Sequence, residues 1–172
     1  RIFAGHELVT GTMVYCYNNT LYGCGWNGAQ TGESGHFLVS TETLIHLNLM
    51  SFSNNIVRST GEPYVAGESG NPQTADLRNC WFGAGPAPAW DNTAINTDPM
   101  FINTIANNYQ LQNGSPCINT GRNLSTIVTR DILGLSRPQG TAFDIGAFES
   151  NSTIGIIKIG NSIPNSFTLY QN

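Results

Sequence analysis

The chain has 172 residues, which is enough for one domain that buries a core of its own. Only 10% of the residues are charged, against about 25% in an average soluble domain, and a surface made mainly of amides and hydroxyls favours an all-β or repeat fold. The net charge of −4 argues against nucleic acid as a partner, and no apolar run reaches the ~18 residues that a membrane span needs.

Three segments in the first half of the chain resemble one another. Each reads as an alternating strand, an asparagine corner and a second apolar strand. They are residues 14–22, 49–57 and 76–82. Their aligned corners, Asn19, Asn55 and Asn79, lie 36 and then 24 residues apart. A coil of a parallel β-helix takes about 20 to 25 residues plus any loop, so the longer gap predicts an inserted loop at 23–35.

An asparagine at such a corner has a physical reason. Its amide can bond its own turn and also the asparagine stacked one strand spacing away, about 4.8 Å. We therefore predict a ladder of hydrogen-bonded amides formed by Asn19, Asn55 and Asn79. The alternative is that the three residues form ordinary Asx turns in unrelated loops.

The segment 98–149 is dense in corners. Proline follows Asp98, Ser115 and Arg137, and each proline favours extended or turn geometry in the residue before it. Short alternating apolar runs separate the corners, as expected for short strands laid over the edge of a core. The pattern predicts a lid.

Four blocks of this segment, in fixed order, resemble the closing segment of bacterial extracellular right-handed parallel β-helix proteins of the choice-of-anchor Q type. The blocks are Asp98-Pro99-Met100-Phe101, residues 108–121 (NYQLQNGSPCINTG), Arg137-Pro138 and residues 143–149 (FDIGAFE). The chain departs from that pattern at Cys117 and Asn119, where the family has Ala and Asp. The resemblance implies an all-β fold, a short right-handed parallel β-helix (solenoid) with a C-terminal lid and a strand-like tail. It divides the chain into coils at 1–97, a closing segment at 98–150, and a linker with a further short segment at 151–172.

The end of the chain resembles the opening of the C-terminal sorting domain that the type IX secretion system reads. Phe167, Leu169, Gln171 and Asn172 fall in that pattern in order. This resemblance implies export across the outer membrane and an extracellular or cell-surface location. Because the sequence begins at Arg1 without a signal-like apolar region, we expect a processed form or a fragment.

Four cysteines permit three pairings, which an exported protein can keep oxidised. Cys16 and Cys24 flank one corner and are the first choice for a disulfide. No Cys-x-x-Cys occurs and the three histidines lie in different segments, so we predict neither a metal site nor a cofactor.

Candidates for chemistry are few. Asp144 and Glu149 lie in the closing segment, where an aspartate beside a turn more often accepts bonds from backbone amides than it catalyses a reaction. Trp26 and Trp90 are candidates for a sugar-binding platform, with core or loop packing as the favoured alternative. No catalytic residue is predicted, and an enzyme is the less favoured class.

Two functions remain. The favoured one is a non-catalytic secreted or cell-surface structural protein that forms homo-oligomers or head-to-tail filaments, with Phe167 and Leu169 on a strand that a neighbour's open edge accepts. The alternative is a fragment of a carbohydrate-active β-helix enzyme (a polysaccharide lyase or hydrolase) or a glycan-binding module, whose partner would be an extracellular polysaccharide.

Overall fold

A computed structural model describes residues 13–23, 38–39, 45–46, 50–59, 64–66, 68–69, 71–72 and 75–151. These residues form short β-strands and no helix, which confirms the prediction of an all-β fold. The strands are β1 (Val14–Tyr17), β2 (Thr20–Tyr22), β3 (Leu38–Val39), β4 (Ile45–His46), β5 (Met50–Ser53), β6 (Ile56–Arg58), β7 (Val65–Ala66), β8 (Glu68–Ser69), β9 (Cys80–Phe82), β10 (Phe101–Asn103) and β11 (Asn108–Leu111). The predicted loop at 23–35 beyond Gly23, and the predicted tail strand with Phe167 and Leu169, lie outside the described residues.

The first four strands pair with the next four in the same order, and all of these pairs are parallel. β1 pairs with β5, β2 with β6, β3 with β7 and β4 with β8. β9 adds to the other side of β6, so β2, β6 and β9 form a three-stranded parallel sheet. The corners between β1 and β2 and between β5 and β6 are 36 residues apart, and the next corner follows after 24.

The side chains of the three-stranded sheet alternate between its two faces, and each face is covered by an apolar cluster. Leu21, Val57 and Trp81 lie side by side across the three strands and belong to one apolar cluster, together with buried residues of β1 and β5. Ile56 and Cys80 point to the opposite face and belong to a second cluster, built mainly by the closing segment. A sheet buried on both faces explains why Ile56 and Val57, consecutive residues of β6, are both apolar and buried.

Each corner begins with a residue in the left-handed backbone region. Asn18, Asn54 and Arg78 have φ values of 50°, 59° and 52°. Asparagine tolerates this region better than most residues because its short side chain can bond locally. The chain then re-enters the next strand, and the amide of Ile56 donates to the carbonyl of Asn19 at 2.8 Å.

The closing segment starts with the antiparallel hairpin of β10 and β11 and continues without regular strands to residue 151. The hairpin lies against the face of the sheet to which Ile56 and Cys80 point, here called the outer face. On this face the ring centroid of Tyr22 is 6.0 Å from that of Phe101 and 5.2 Å from that of Tyr109. Gly146, at φ 102°, approaches the same face so closely that a Cβ there would lie 2.7 Å from Cδ1 of Ile56. Only glycine permits this contact.

Candidate functional site

The three aligned asparagines lie in one hydrogen-bonded line. The backbone amide and the Nδ2 of Asn19 donate to Oδ1 of Asn55 at 3.0 and 2.9 Å. The same two groups of Asn55 donate to Oδ1 of Asn79 at 2.9 and 3.0 Å. The amide oxygens of Asn55 and Asn79 therefore each accept two bonds from the preceding corner. Nδ2 of Asn55 also donates to the carbonyl of Cys16 at 3.0 Å, which fixes the middle asparagine to the first repeat.

The line ends at a carboxylate that the sequence analysis did not single out. Asp91 is buried, and its Oδ2 accepts from Nδ2 of Asn79 at 3.0 Å and from the indole N–H of Trp81 at 2.7 Å. Its Oδ1 accepts from the hydroxyl of Thr93 at 3.2 Å. An ionised carboxylate only accepts hydrogen bonds, so the run of donated bonds stops at Asp91.

Asn55→Ala should lower the free energy of unfolding by about 1 to 3 kcal/mol, because it leaves donors and an acceptor without partners in a fully buried place. Asn113→Ala is the matched control, since Asn113 is exposed and should change stability by no more than about 0.5 kcal/mol. Urea unfolding of both variants checks the difference. Equal stability of the Asn55 variant and the parent would contradict the importance of the line.

A second pair of asparagines, which precede the first two members of the line, holds the closing segment. Asn54 and Arg122 exchange two bonds: Nδ2 of Asn54 donates to the carbonyl of Arg122 at 2.8 Å, and the amide of Arg122 donates to Oδ1 of Asn54 at 2.7 Å. Nδ2 of Asn18 donates to the carbonyls of Asp144 and Gly146 at 3.0 and 3.2 Å. The sequence contains a signal for these contacts in the Asn-Asn pairs at 18–19 and 54–55. The first asparagine of each pair takes the left-handed backbone position, and the second belongs to the hydrogen-bonded line.

A buried ion pair lies at the centre of the closing segment. Nη1 of Arg137 donates to Oε2 of Glu149 at 2.7 Å, and both side chains are almost wholly inaccessible. The guanidinium also donates to the carbonyl of Asp144 at 3.2 Å and to that of Gly146 at 2.8 Å. The same two carbonyls accept from Asn18, so the ion pair and the first corner share their acceptors.

Burial controls the ionisation of this cluster. It lowers the pKa of Arg137, while the nearby carboxylates, Glu149 foremost, act in the opposite direction. Burial raises the pKa values of Asp144 and Glu149, partly offset by backbone amides that donate to their oxygens. The amide of Asn119 donates to Asp144 at 2.7 Å and that of Gln139 to Glu149 at 3.1 Å. Both carboxyls therefore act as acceptors that shape the closing segment.

Arg137→Met should lower the free energy of unfolding by about 3 to 5 kcal/mol, because it leaves Glu149 buried without its cation. Arg78→Met is the matched control: its pair with Asp76 has the same 2.7 Å separation but side chains that are 45% and 48% exposed, and such pairs contribute about 0 to 1 kcal/mol. Chemical unfolding measures both. A loss for Arg137→Met no larger than that for Arg78→Met would show that the buried pair does not hold the segment.

The predicted sugar platform is only partly within the described residues. Trp26 lies outside them. Trp90 is half-buried, with its ring edge-on to Phe52 at 5.1 Å and to Trp81 at 5.6 Å between centroids. Its indole N–H is buried and has no partner among the described residues. These contacts place Trp90 beside the core.

Cys24 lies outside the described residues, so its pairing with Cys16 stays a prediction. Cys16, Cys80 and Cys117 are buried, and none of the three forms a disulfide with another described cysteine. Burial raises the pKa of Cys16 to about 11. A hydrogen bond with the thiol of Cys117, together with burial, raises the pKa of Cys80.

In the folded protein we expect Cys16 to react with iodoacetamide about 100-fold more slowly than in the unfolded chain at the same pH, because its rise from 9.0 to about 11 lowers the thiolate fraction tenfold for each pKa unit. Mass spectrometry of labelled peptides, with and without prior reduction, separates a protected thiol from a disulfide with Cys24. Labelling of Cys16 at equal rates in the folded and unfolded states would contradict its burial.

A groove of about 270 Å³ opens where the outer face of the sheet meets the hairpin. It is lined by Tyr22, Arg58, Asp98, Met100, Phe101, Thr104 and Gln112. The guanidinium of Arg58 lies 6.0 Å from the ring centroid of Tyr22 and 4.8 Å from that of Phe82, and it also donates to the carbonyl of Ser59. Neither the alternation nor the motifs singled out this groove, because it joins residues that are far apart in the sequence.

The described residues contain neither a metal-binding cluster nor a membrane-spanning helix. No group of three or more histidine, cysteine or acidic side chains is arranged to hold a metal ion there. No helix in that part of the chain has the length and apolar character to cross a membrane. No protein-family model and no curated protein matches the chain.

Proposed function

We propose that the chain is the terminal part of a short right-handed parallel β-helix with a structural, non-catalytic role in a secreted or cell-surface protein. The observation that carries the proposal is the line from Asn19 through Asn55 and Asn79 to Asp91, which joins equivalent corners of successive repeats. Repeats that stack on their neighbours bury a continuous core and form extended supports.

The strand order supports the interpretation of the repeats as coils. β1 to β4 pair in sequence with β5 to β8, and β9 continues the stack from β6. A chain that returns to pair each strand in parallel with its equivalent in the next repeat is the basic connection of a β-helix. The right hand follows from the rule that about 98% of parallel crossover connections are right-handed.

The use of the buried carboxylates supports a structural role over catalysis. Asp91, Asp144 and Glu149 each accept bonds from fixed backbone or side-chain donors. Asp131, also buried, accepts from the amides of Leu133, Leu135 and Glu149 at 2.8, 2.8 and 3.0 Å. Carboxylates held in this way define turns and leave little freedom for proton transfer to a substrate.

Assembly would begin at the Asn19 end. Each asparagine in the line donates to the corner after it, Asn55 and Asn79 also accept from the corner before them, and Asp91 closes the later end because it can only accept. Asn19 is exposed, so its amide oxygen is the position at which an added strand can donate. We propose that a neighbour's tail, with Phe167 and Leu169, supplies that strand. Such a contact between unlike surfaces need not close and would produce filaments.

Electron microscopy of the purified chain tests assembly. We expect filaments from the full chain, none after deletion of 154–172, and none from the variant Phe167→Glu with Leu169→Glu, because two charges on one face of a strand oppose its addition to an apolar edge. Asn165→Glu is the matched control and should still assemble. A strictly monomeric full chain would refute assembly, and filaments that persist after the deletion would refute the tail as the donor.

Export across the outer membrane is part of the same proposal and is supported by the resemblance of the tail to a type IX sorting segment. The chain should then appear in the culture medium or on the surface of a bacterium that has this system. Retention of the full-length precursor inside the cell would refute that location.

A further inference from the structure

We propose that the groove between the sheet and the hairpin binds a neutral sugar ring that carries adjacent hydroxyl groups. The proposal does not depend on filament assembly, because a structural coil can display a binding groove on its outer face. It also differs from the sugar platform expected from Trp26 and Trp90, since Trp90 does not line the groove and Trp26 lies outside the described residues.

Several polar groups of the groove lining have no hydrogen-bond partner among the described residues. One carboxylate oxygen of Asp98 accepts from the amide of Met100 at 2.8 Å, which leaves the other oxygen available. Nε2 of Gln112 donates to the carbonyl of Phe101 at 2.7 Å, which leaves its oxygen available. The hydroxyl of Thr104 has no bond to any described residue.

Arg58 is held in a fixed orientation beside the groove. Its guanidinium is held between the rings of Tyr22 and Phe82 and by the carbonyl of Ser59. Gly83 is essential here, because a Cβ at that position would collide with the guanidinium and with the same carbonyl. Arg58 has five N–H donors and forms no ion pair with a described residue, so it brings fixed, unused donors to the groove.

The donors and acceptors of the groove match the hydroxyl groups of a sugar. Arg58 donates, Asp98 and Gln112 accept, and Thr104 can do both, which suits neighbouring hydroxyls that are each donor and acceptor. Tyr22, Phe101 and Met100 provide an apolar wall for the C–H face of the ring. The volume of about 270 Å³ lies just below the range of about 300 to 1,000 Å³ for drug-sized ligands, which indicates one ring.

The charges of the groove favour a neutral ring. Among the described residues of the lining, Arg58 is the one cation and Asp98 the one anion, so their formal charges cancel. A uronate would gain from Arg58 but would also bring its carboxylate near Asp98 in a partly desolvated groove. The balance favours a neutral hexose over an acidic sugar.

Saturation-transfer NMR and titration of the full chain with the methyl glycosides of glucose, galactose, mannose and galacturonic acid test the proposal. We expect binding of at least one neutral glycoside with a dissociation constant of about 1 to 10 mM, the scale expected for a single ring in an open groove. The galacturonate should bind more weakly. No signal from any neutral glycoside, or tighter binding of the galacturonate, would overturn the proposal.

Two variants locate the binding. Asp98→Asn keeps an acceptor for Met100 but removes the charge, and should weaken binding about tenfold or more; Thr104→Val keeps the shape and should weaken it about threefold to tenfold. Asp76→Asn, on an exposed carboxylate outside the groove, is the control and should bind as the parent does. Unchanged thermal unfolding separates loss of binding from loss of fold. Parent-like binding by both groove variants would place the sugar elsewhere and overturn the assignment.

Discussion

The hydrogen-bonded line from Asn19 to Asp91 is the interaction on which the rest of the described structure depends. Side chains alternate along a strand, so a slip of one residue in pairing would exchange the positions of two apolar residues. Val57 would leave the cluster that it forms with Leu21 and Trp81, and Ile56 would leave the cluster that it forms with the closing segment. The asparagines exclude that slip, because the amide oxygen of Asn55 accepts two bonds from Asn19, which holds the same corner position in the neighbouring repeat. Since the repeats are 36 and 24 residues apart, this fixed corner also lets the chain between corners vary in length without disturbing the core.

The closing segment depends on the same corners through their left-handed residues. The backbone at Asn18 and Asn54 turns their side chains toward the closing segment, where they bond its carbonyls and amides. Arg137 also donates to two of those carbonyls, and Glu149 balances its charge. A buried ion pair gives weak net stabilisation compared with an apolar pair of the same size, but breaking it is costly. It therefore fixes one arrangement of the segment on the corners.

The sequence allowed part of this to be predicted. The corner residues of the three repeats are all asparagine and lie at a spacing typical of repeats, so their alignment could be predicted. The turn residues and short apolar runs of 98–149 indicated an all-β closing segment. Asp91 could not be found in that way, because it follows Asn79 by 12 residues and is of another residue type. The left-handed position was equally hidden in the third repeat, where Arg78 takes the place of an asparagine.

The partners of Arg137 and the groove were out of reach for a different reason. Arg137 and Glu149 are 12 residues apart in a stretch without helix or strand, and no periodic rule says which residues meet there. The groove joins Tyr22 and Arg58 to residues 98–112, and this proximity arises only when the hairpin packs on the outer face of the sheet. Patterns along a chain report local geometry, whereas these sites depend on tertiary packing.

The choice of aspartate rather than a fourth asparagine at position 91 has a chemical cause. Three donors converge on it: the amide of Asn79, the indole of Trp81 and the hydroxyl of Thr93. An asparagine has one acceptor oxygen, so an oxygen that accepts from Asn79 and Trp81 would turn the NH₂ group toward the hydroxyl of Thr93, which already accepts from the amides of Leu77 and Arg78. A carboxylate accepts from all three, and charge-assisted bonds compensate for its burial. The residue that satisfies these donors thus also ends the line, since a group that only accepts cannot pass a hydrogen bond to a further corner.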